Sequence, residues 1–198
     1  MSKSKILMCA VALAALPVSQ ASAYVVDVFT GVAPSLAAAN AAIAGGSPAF
    51  SQVASIIEYD DLGDGTQGHF AINNPFPGGV SSNFAVHVTG TFLIGTAGTF
   101  TFGINHDDGA GLTIDGTLVA TADFLTDNID TTITSAFAAG LHSVDIVFFE
   151  FGGGASLEFF NLQGGVFSLV AAAPEPGILS LVGLGLLGMG FGVRRRVN

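Results

Sequence analysis

The sequence predicts an all-β fold, an antiparallel β-sandwich with one short helix near its start. Apolar and polar residues alternate through residues 84–89 and 100–105, which is the pattern of a strand with one buried face. Gly, Pro, Asn and Asp interrupt such runs at short intervals, as in Asp108-Gly109, and they indicate tight turns. Short strands joined by tight turns are typical of sandwiches and barrels.

Individual elements can be placed within this fold. Residues 34–46, PSLAAANAAIAGG, predict the helix, because Ser35 can cap its start and a glycine pair ends it. Val144, Ile146 and Phe148 are apolar on one parity, and Val147 and Phe149 are apolar on the other. This predicts a strand buried on both sides at the centre of a sheet. The pair Asp115-Gly116 favours a type I′ hairpin turn.

Residues 1–23 have the pattern of a secretory signal peptide. Lys3 and Lys5 precede an apolar stretch, residues 6–18, and the small residues Ala21 and Ala23 follow. We expect signal peptidase to cut after Ala23. The one cysteine of the chain would be removed with this segment, so the mature body would depend on its own core or on metal ions rather than on disulfides.

The C-terminal residues 171–198 have three parts: Pro174, Glu175 and Pro176, the uncharged apolar run 177–193, and Arg194, Arg195 and Arg196. At about 1.5 Å per residue the apolar run would form a helix of about 25 Å, just short of a hydrocarbon core. It predicts a transient transmembrane segment, and the arginines would keep its end on the cytoplasmic side. The three parts resemble the PEP-CTERM sorting signal of Gram-negative bacteria. This resemblance implies cleavage near Pro-Glu-Pro by an exosortase-type enzyme.

The two end segments leave residues 24–170 as the β-sandwich domain, a length that suits one domain with its own core. The predicted location is the cell envelope, its surface or the extracellular matrix. The protein would reach it by export across the inner membrane and C-terminal processing.

Charge is distributed unevenly along the chain. All five Lys and Arg residues lie in the two end segments, whereas fourteen of the 15 acidic residues lie in the body. Within the body, the only side chains that could pair with these acids as cations are four histidines: His69, His87, His106 and His142. Nucleic acid binding is excluded, because phosphate contacts need Lys and Arg. The excess of carboxylates fits either solubility in an open environment or recruitment of divalent cations.

A family resemblance lies in residues 98–160. These contain GTFTFGINHDDGAGLTIDGTLVA and later AAGLHSVDIVFFEFGGGASLEFF. A strand runs into the acidic turn 106–109, and a later long strand ends at Glu150. A glycine turn follows it, from which residues 156–160 pair back. This order resembles the anthrax protective-antigen N-terminal-domain family, a β-sandwich also inserted in bacterial glycosidases and found in yeast cell-wall adhesins.

The resemblance implies a binding site at one end of the sandwich. In the lectin branch of that family, paired aspartates on an end loop bind calcium that contacts the hydroxyls of a sugar, and Asp107 and Asp108 match this pair. Both can bind one ion only if the backbone turns or their peptide bond is cis, because adjacent side chains of an extended trans chain point apart. Glu150, Gly152 and Gly153 match a second loop that often reads Glu-Asn-Gly-Gly-Gly.

This chain departs from that pattern at one position. Phe151 stands where the asparagine would be, which removes an oxygen ligand. His106, beside the aspartates, fits either a polar wall of the site or a surface histidine. A second acidic cluster, Asp60, Asp61 and Asp64, lacks the ligand spacing of an EF-hand loop and predicts a solvated turn.

The residue patterns that support catalysis are missing. The sequence has no His-x-His or His-Glu-x-x-His spacing for zinc and no serine nucleophile motif, and no thiol would remain after processing. A glycosidase needs two carboxylates across a cleft, and no spacing among the acids identifies such a pair. We therefore predict that the protein is not an enzyme.

The leading functional prediction is a surface-sorted, non-catalytic module that binds a carbohydrate or glycan, with calcium as the candidate cofactor. Its expected partners are signal peptidase, an exosortase, an extracellular polysaccharide or glycan and, transiently, the membrane. One observation opposes this prediction: the chain has no Trp, and its two tyrosines are Tyr24 and Tyr59, so aromatic platforms for sugar rings are few. The alternatives are a structural polyacidic protein of the matrix or biofilm and a small hydrolase.

Overall fold

The computed structural model describes residues 24–61, 68–70 and 74–163, all of which fall in the compact unit Ala21–Ala171. The elements are β1 (Tyr24–Thr30), α1 (Leu36–Ala44), β2 (Phe50–Ala54), β3 (Glu58–Asp60), a 3-10 turn (Pro77–Gly79), β4 (Phe84–Ile94), β5 (Gly98–Asp107), β6 (Gly109–Ile114), β7 (Thr117–Ala122), β8 (Ile129–Phe137), β9 (Gly140–Glu150) and β10 (Ser156–Asn161). One sheet has the order β2-β1-β4-β9-β6-β7 and the other β3-β10-β5-β8. The predicted antiparallel β-sandwich with one helix is confirmed.

Phenylalanine rings fill the space between the two sheets. Phe76, Phe84 and Phe148 form one group, in which the ring of Phe76 lies 4.9 Å from that of Phe84 and 5.7 Å from that of Phe148. A second group joins Phe92 and Phe102 across the sheets at 5.1 Å. Burial of each such side chain contributes roughly 1.5–3 kcal/mol, so the core supports the fold without a disulfide.

Helix α1 covers part of the outer face of the six-stranded sheet. Ser35 caps it as predicted, since its Oγ accepts a hydrogen bond from the backbone N–H of Ala38 at 3.1 Å. Ala39 packs there with Phe149 of β9 in a second buried cluster. On this outer face Val147 and Phe149 pack against the helix cluster, while Val144, Ile146 and Phe148 of the same strand lie in the core between the sheets. Strand β9 lies between β4 and β6, which confirms the predicted central strand.

The chain passes from one sheet to the other at two crossings that lie side by side, and the candidate site lies there. After Asp107 the chain leaves β5 in the four-stranded sheet and enters β6 in the six-stranded sheet, and after Glu150 it crosses in the opposite sense from β9 to β10. In the register, Asp107 of β5 lies opposite Ser156 of β10, and Gly109 of β6 lies opposite Phe149 of β9. The two crossings are thus neighbours at one end of the sandwich.

The prediction that residues 156–160 pair back on the preceding strand was wrong. Strand β10 pairs with β3 and β5 in the other sheet. The reason is that both edges of β9 already pair with other strands, β4 and β6, so no edge of β9 is open to β10.

The β6–β7 turn has the predicted type I′ character, because Asp115 and Gly116 have φ values of 51° and 75°. In the described part of the chain the ion pairs join histidine to aspartate: His69–Asp130, His87–Asp145 and His142–Asp115. This agrees with the lack of Lys and Arg in the body.

The predicted signal peptide with Ala21 and Ala23, the transmembrane segment 177–193 and the Pro174–Arg196 sorting residues lie outside the described residues. Within the residues that are described, no helix has the length and apolar character needed to cross a membrane.

Candidate functional site

Three carboxylates meet where the two crossings lie side by side. One oxygen from each of Asp107, Asp108 and Glu150 lies within 4.8 Å of the others. The peptide bond between Asp107 and Asp108 is cis. A cis bond or a turn of the backbone was the condition stated above for both side chains to bind one ion. The structure therefore brings the predicted aspartate pair together with the predicted glutamate of the second loop.

Asp108 connects the two loops that border the cluster. Its Oδ1 accepts the backbone N–H of Thr126 at 3.0 Å, and its Oδ2 accepts the backbone N–H of Phe151 at 3.0 Å. Each carboxylate oxygen has a further lone pair, so the side chain is oriented by these bonds and can still bind a ligand.

Of the three carboxyl groups, that of Glu150 is the most deeply buried and lacks a hydrogen-bond partner among the described residues. It follows Phe148 on the inward parity of β9 and is 0% exposed, and among the described residues neither of its carboxylate oxygens has a hydrogen-bond partner. Burial, together with the charges of Asp108 and Asp107, raises the pKa of Glu150 to about 8, although the nearby N–H of Gly152 opposes the shift. A buried carboxyl group without a partner costs free energy, and a bound cation would offset that cost.

Asp107 is only partly buried but lies among like charges. Burial, with the charges of Asp108 and Asp127, raises the pKa of Asp107 to about 7. The raised pKa values of Asp107 and Glu150 have a shared origin, because Asp107, Asp108 and Glu150 converge where the described chain has no Lys or Arg to neutralise them.

His106 lies behind the cluster, not on its surface. It is fully buried, because it follows Phe102 and Ile104 on the inward parity of β5. Its Nδ1 donates to the backbone carbonyl of Asp108 at 2.6 Å, and its Nε2 accepts from the Thr131 hydroxyl, 2.8 Å away. Burial lowers the pKa of His106, in agreement with a neutral ring. Both sequence interpretations of His106, a surface histidine and a wall of the site, were wrong, because its ring is buried and holds the Asp108 backbone.

An open cleft of about 390 Å³ borders two members of the cluster, Asp107 and Asp108, while Glu150 is buried and does not line it. Its lining residues are Asp107, Asp108, Leu125, Thr126, Asp127, Phe151, Gly152, Gly153 and Gly154. Gly152 and Gly153 lie where the sequence predicted. The β7–β8 loop residues Leu125, Thr126 and Asp127 were missed, since they belong to no motif. The available signal was an apolar pair, Phe124 and Leu125, in a short acidic loop.

The second acidic cluster was also misjudged. Asp60 is buried in β3, and Asp61 Oδ1 accepts the backbone N–H of Ala155 at 2.7 Å, so these two residues are not a solvated turn. Asp64 lies outside the described residues. Asp61 thereby fixes the backbone at the end of the glycine loop. Its negative charge also contributes to the rise in the pKa of Glu150.

The cluster and both crossings lie inside the segment that matches a known domain family. The model of the PA14 domain family matches residues 66–169, more than half of the chain. This chain belongs to the PA14 domain family. A second family model, the PEP-CTERM protein-sorting motif, matches residues 172–196, as the sequence analysis predicted.

Solved PA14 domains share the fold. The PA14 domain of the antifreeze protein MpAFP is 18% identical over 77% of this chain and 92% of that one, with a TM-score of 0.57. The PA14 sugar-binding domain from an RTX adhesin is 22% identical over 79% of this chain and 100% of that one, with a TM-score of 0.51. An anti-sigma factor domain-containing protein is 15% identical over 80% of this chain and 50% of that one, with a TM-score of 0.52. No curated protein is similar enough to match.

Proposed function

We propose that this PA14 domain is an exported, non-catalytic module that binds carbohydrate through a divalent cation, calcium, held by Asp107, Asp108 and Glu150. The observation that carries the proposal is the buried carboxylate of Glu150, which has no hydrogen-bond partner among the described residues and lies within 4.8 Å of two other carboxylates. Such a group is stable when a cation neutralises it.

The donor set fits a hard cation. All three side chains offer only oxygen, which Ca²⁺ and Mg²⁺ prefer, and no cysteine or histidine ring nitrogen belongs to the cluster. Hydrogen bonds from the backbone N–H groups of Thr126 and Phe151 orient Asp108, and in metal sites such bonds hold a ligand in position. When bound, the cation would supply coordination positions for neighbouring hydroxyl groups of a sugar. The open cleft leaves room for such a ligand above Asp107 and Asp108.

Two comparisons support the remaining parts of the proposal. A PA14 domain of an RTX adhesin with the same fold is described as a sugar-binding domain. The match of residues 172–196 to the sorting motif supports export and surface location. On this basis signal peptidase would cut after Ala23, and an exosortase would cut near Pro174, Glu175 and Pro176 and thereby release the span 177–193 and Arg194, Arg195 and Arg196.

Calorimetric titration of the purified protein with calcium tests the cation site. We expect binding heat and a rise in melting temperature that EDTA reverses, and we expect both to disappear in the double variant Asp107→Asn, Asp108→Asn. Asp27→Asn is the matched control, since Asp27 lies on the outer face of β1, away from the cluster. If the wild-type protein shows neither heat nor a melting shift, the cation site does not exist.

A glycan array, with and without EDTA, tests the sugar. Calcium-dependent binding of a glycan is the expected result. If calcium binds but no glycan does under either condition, the structural polyacidic protein becomes the better account of the function.

A further inference from the structure

We propose that Phe151 and Leu125 form an apolar wall of the ligand site and select a pyranose sugar with an apolar C–H face beside its hydroxyl pair. This inference rests on the proposed function and adds a specificity determinant to it. The residue that departs from the family's loop pattern would therefore contribute to sugar binding directly, through its ring.

Both side chains are exposed at the cleft although they are apolar. Phe151 is 48% exposed and Leu125 is 52% exposed, and both line the cleft over the carboxylates. Single exposed apolar residues are ordinary on protein surfaces. These two are not isolated, because they come from different loops and border the same cleft together with the acids.

Their backbones are fixed relative to the carboxylate cluster. The N–H of Phe151 donates to Asp108, and its carbonyl accepts the backbone N–H of Asn83 at 3.2 Å. Leu125 directly precedes Thr126, whose N–H donates to the other oxygen of Asp108. One carboxylate therefore sets the position of both apolar residues. A wall that is preorganised in this way costs little conformational entropy when a ligand binds.

The neighbouring loop leaves the wall uncovered. Gly152, Gly153 and Gly154 follow Phe151 without side chains, and a Cβ atom added to Gly153 would meet nothing within 4 Å. The φ of Gly153 is +119°, which other residues rarely adopt. The glycine run thus keeps the space beside the ring open to a ligand.

The chemistry of the cleft indicates the class of ligand. Asp107, Asp108 and Asp127 line the cleft together with the apolar residues Phe151 and Leu125. A matching ligand therefore has hydroxyls on one edge and C–H groups on a face, as a pyranose does. Tyr24 and Tyr59 are buried in the core. Among the residues that line the cleft, Phe151 is the one aromatic side chain.

The test compares two affinities in each variant: that for calcium, and that for the tightest monosaccharide methyl glycoside found on a panel in the presence of calcium. We expect Phe151→Ala to lower the sugar affinity about tenfold and to leave the calcium affinity within about twofold, since alanine retains the N–H that binds Asp108. Phe151→Tyr keeps a ring and should retain the sugar affinity. Leu141→Ala is the control, because Leu141 is also half-exposed and apolar but lies at the opposite end of β9.

The outcomes separate this inference from the proposed function. If Phe151→Ala still binds calcium and binds the sugar with unchanged affinity, the proposed apolar wall is wrong, but the proposed cation site is not affected. A parallel loss of calcium binding in Phe151→Ala would also overturn the wall, since it would show that the side chain supports the cation site. If no methyl glycoside binds the wild-type protein, the sugar-binding function fails, and the wall fails with it.

Discussion

Asp115 and His142 are joined by a hydrogen bond of 2.6 Å between Oδ2 and Nδ1, at the end of β9 that lies away from Glu150. The second ring nitrogen of His142, Nε2, lies 3.0 Å from the carbonyl oxygen of Ala138. Both partners can only accept, so both contacts are hydrogen bonds only when both ring nitrogens carry a proton, that is, in the imidazolium form. In a body without Lys or Arg, the protonated His142 is a cation that joins the β6–β7 turn to the start of β9.

The pair predicts a stability that depends on pH. Burial alone would lower the pKa of His142, but the hydrogen bonds to Asp115 and Ala138 outweigh it and raise the pKa. A raised folded-state pKa means that the stabilisation is complete below about pH 6.5, the ordinary histidine value, and is lost as the pH rises through the folded-state pKa. We expect His142→Gln to lower the melting temperature most at pH 5.5 and little at pH 9. A destabilisation that is constant over this range would contradict the prediction.

Two buried glutamates should respond in opposite ways to the same substitution. Glu150 has no hydrogen-bond partner among the described residues, whereas Glu158 accepts the backbone N–H groups of His69 and Phe70. In EDTA we expect Glu150→Gln to raise the free energy of unfolding by roughly 1 kcal/mol, because it removes an uncompensated carboxyl group. Glu158→Gln should lower it by about 1–3 kcal/mol, because one of the two N–H groups loses its acceptor and faces an amide NH2 group that can only donate. Urea denaturation measures both.

The same Glu150→Gln variant should bind calcium at least about tenfold more weakly than the wild type, since it loses one charged ligand. Titration calorimetry measures this loss. A variant that gains stability in EDTA and keeps its full calcium affinity would show that Glu150 is not a ligand.

Gly109 directly follows the aspartate pair and should not tolerate a side chain. A Cβ atom there would collide with the ring of Phe149, which is fully buried, and would approach the carbonyl of Ala122. We expect Gly109→Ala to cost about 1–3 kcal/mol of unfolding free energy through overpacking. Gly95→Ala is the control: its Cβ would meet nothing within 4 Å, so it should be neutral or slightly stabilising. Equal effects in urea denaturation would count against this packing argument.

Processing of the C-terminal end gives a further prediction. Replacement of Pro174, Glu175 and Pro176 with alanine should leave an uncleaved chain in the membrane fraction, because the exosortase would lose its recognition site while the span 177–193 remains. Immunoblots of membrane and extracellular fractions measure this distribution. Normal release of the variant would show that these residues do not direct cleavage.

Several elements could be predicted because their causes lie within a few residues of the chain. The Ser35 cap and the glycine pair define α1, and Asp115-Gly116 defines its hairpin turn. Apolar residues on both parities of one segment, such as Ile146 and Val147, predicted a strand at the centre of a sheet, and β9 lies there. The aspartate pair was likewise visible as a local motif, and the structure places it with Glu150.

The tertiary structure alone decided which distant segments meet. Strand β10 joined the other sheet because β9 had no free edge. The β7–β8 loop reached the cleft because Asp108 binds the N–H of Thr126. The same packing left Glu150 buried without a hydrogen-bond partner among the described residues. Periodicity and turn residues act over neighbouring positions, whereas free sheet edges, burial and charge proximity depend on the whole packed chain, so the sequence by itself determined the elements and the tertiary structure decided the site.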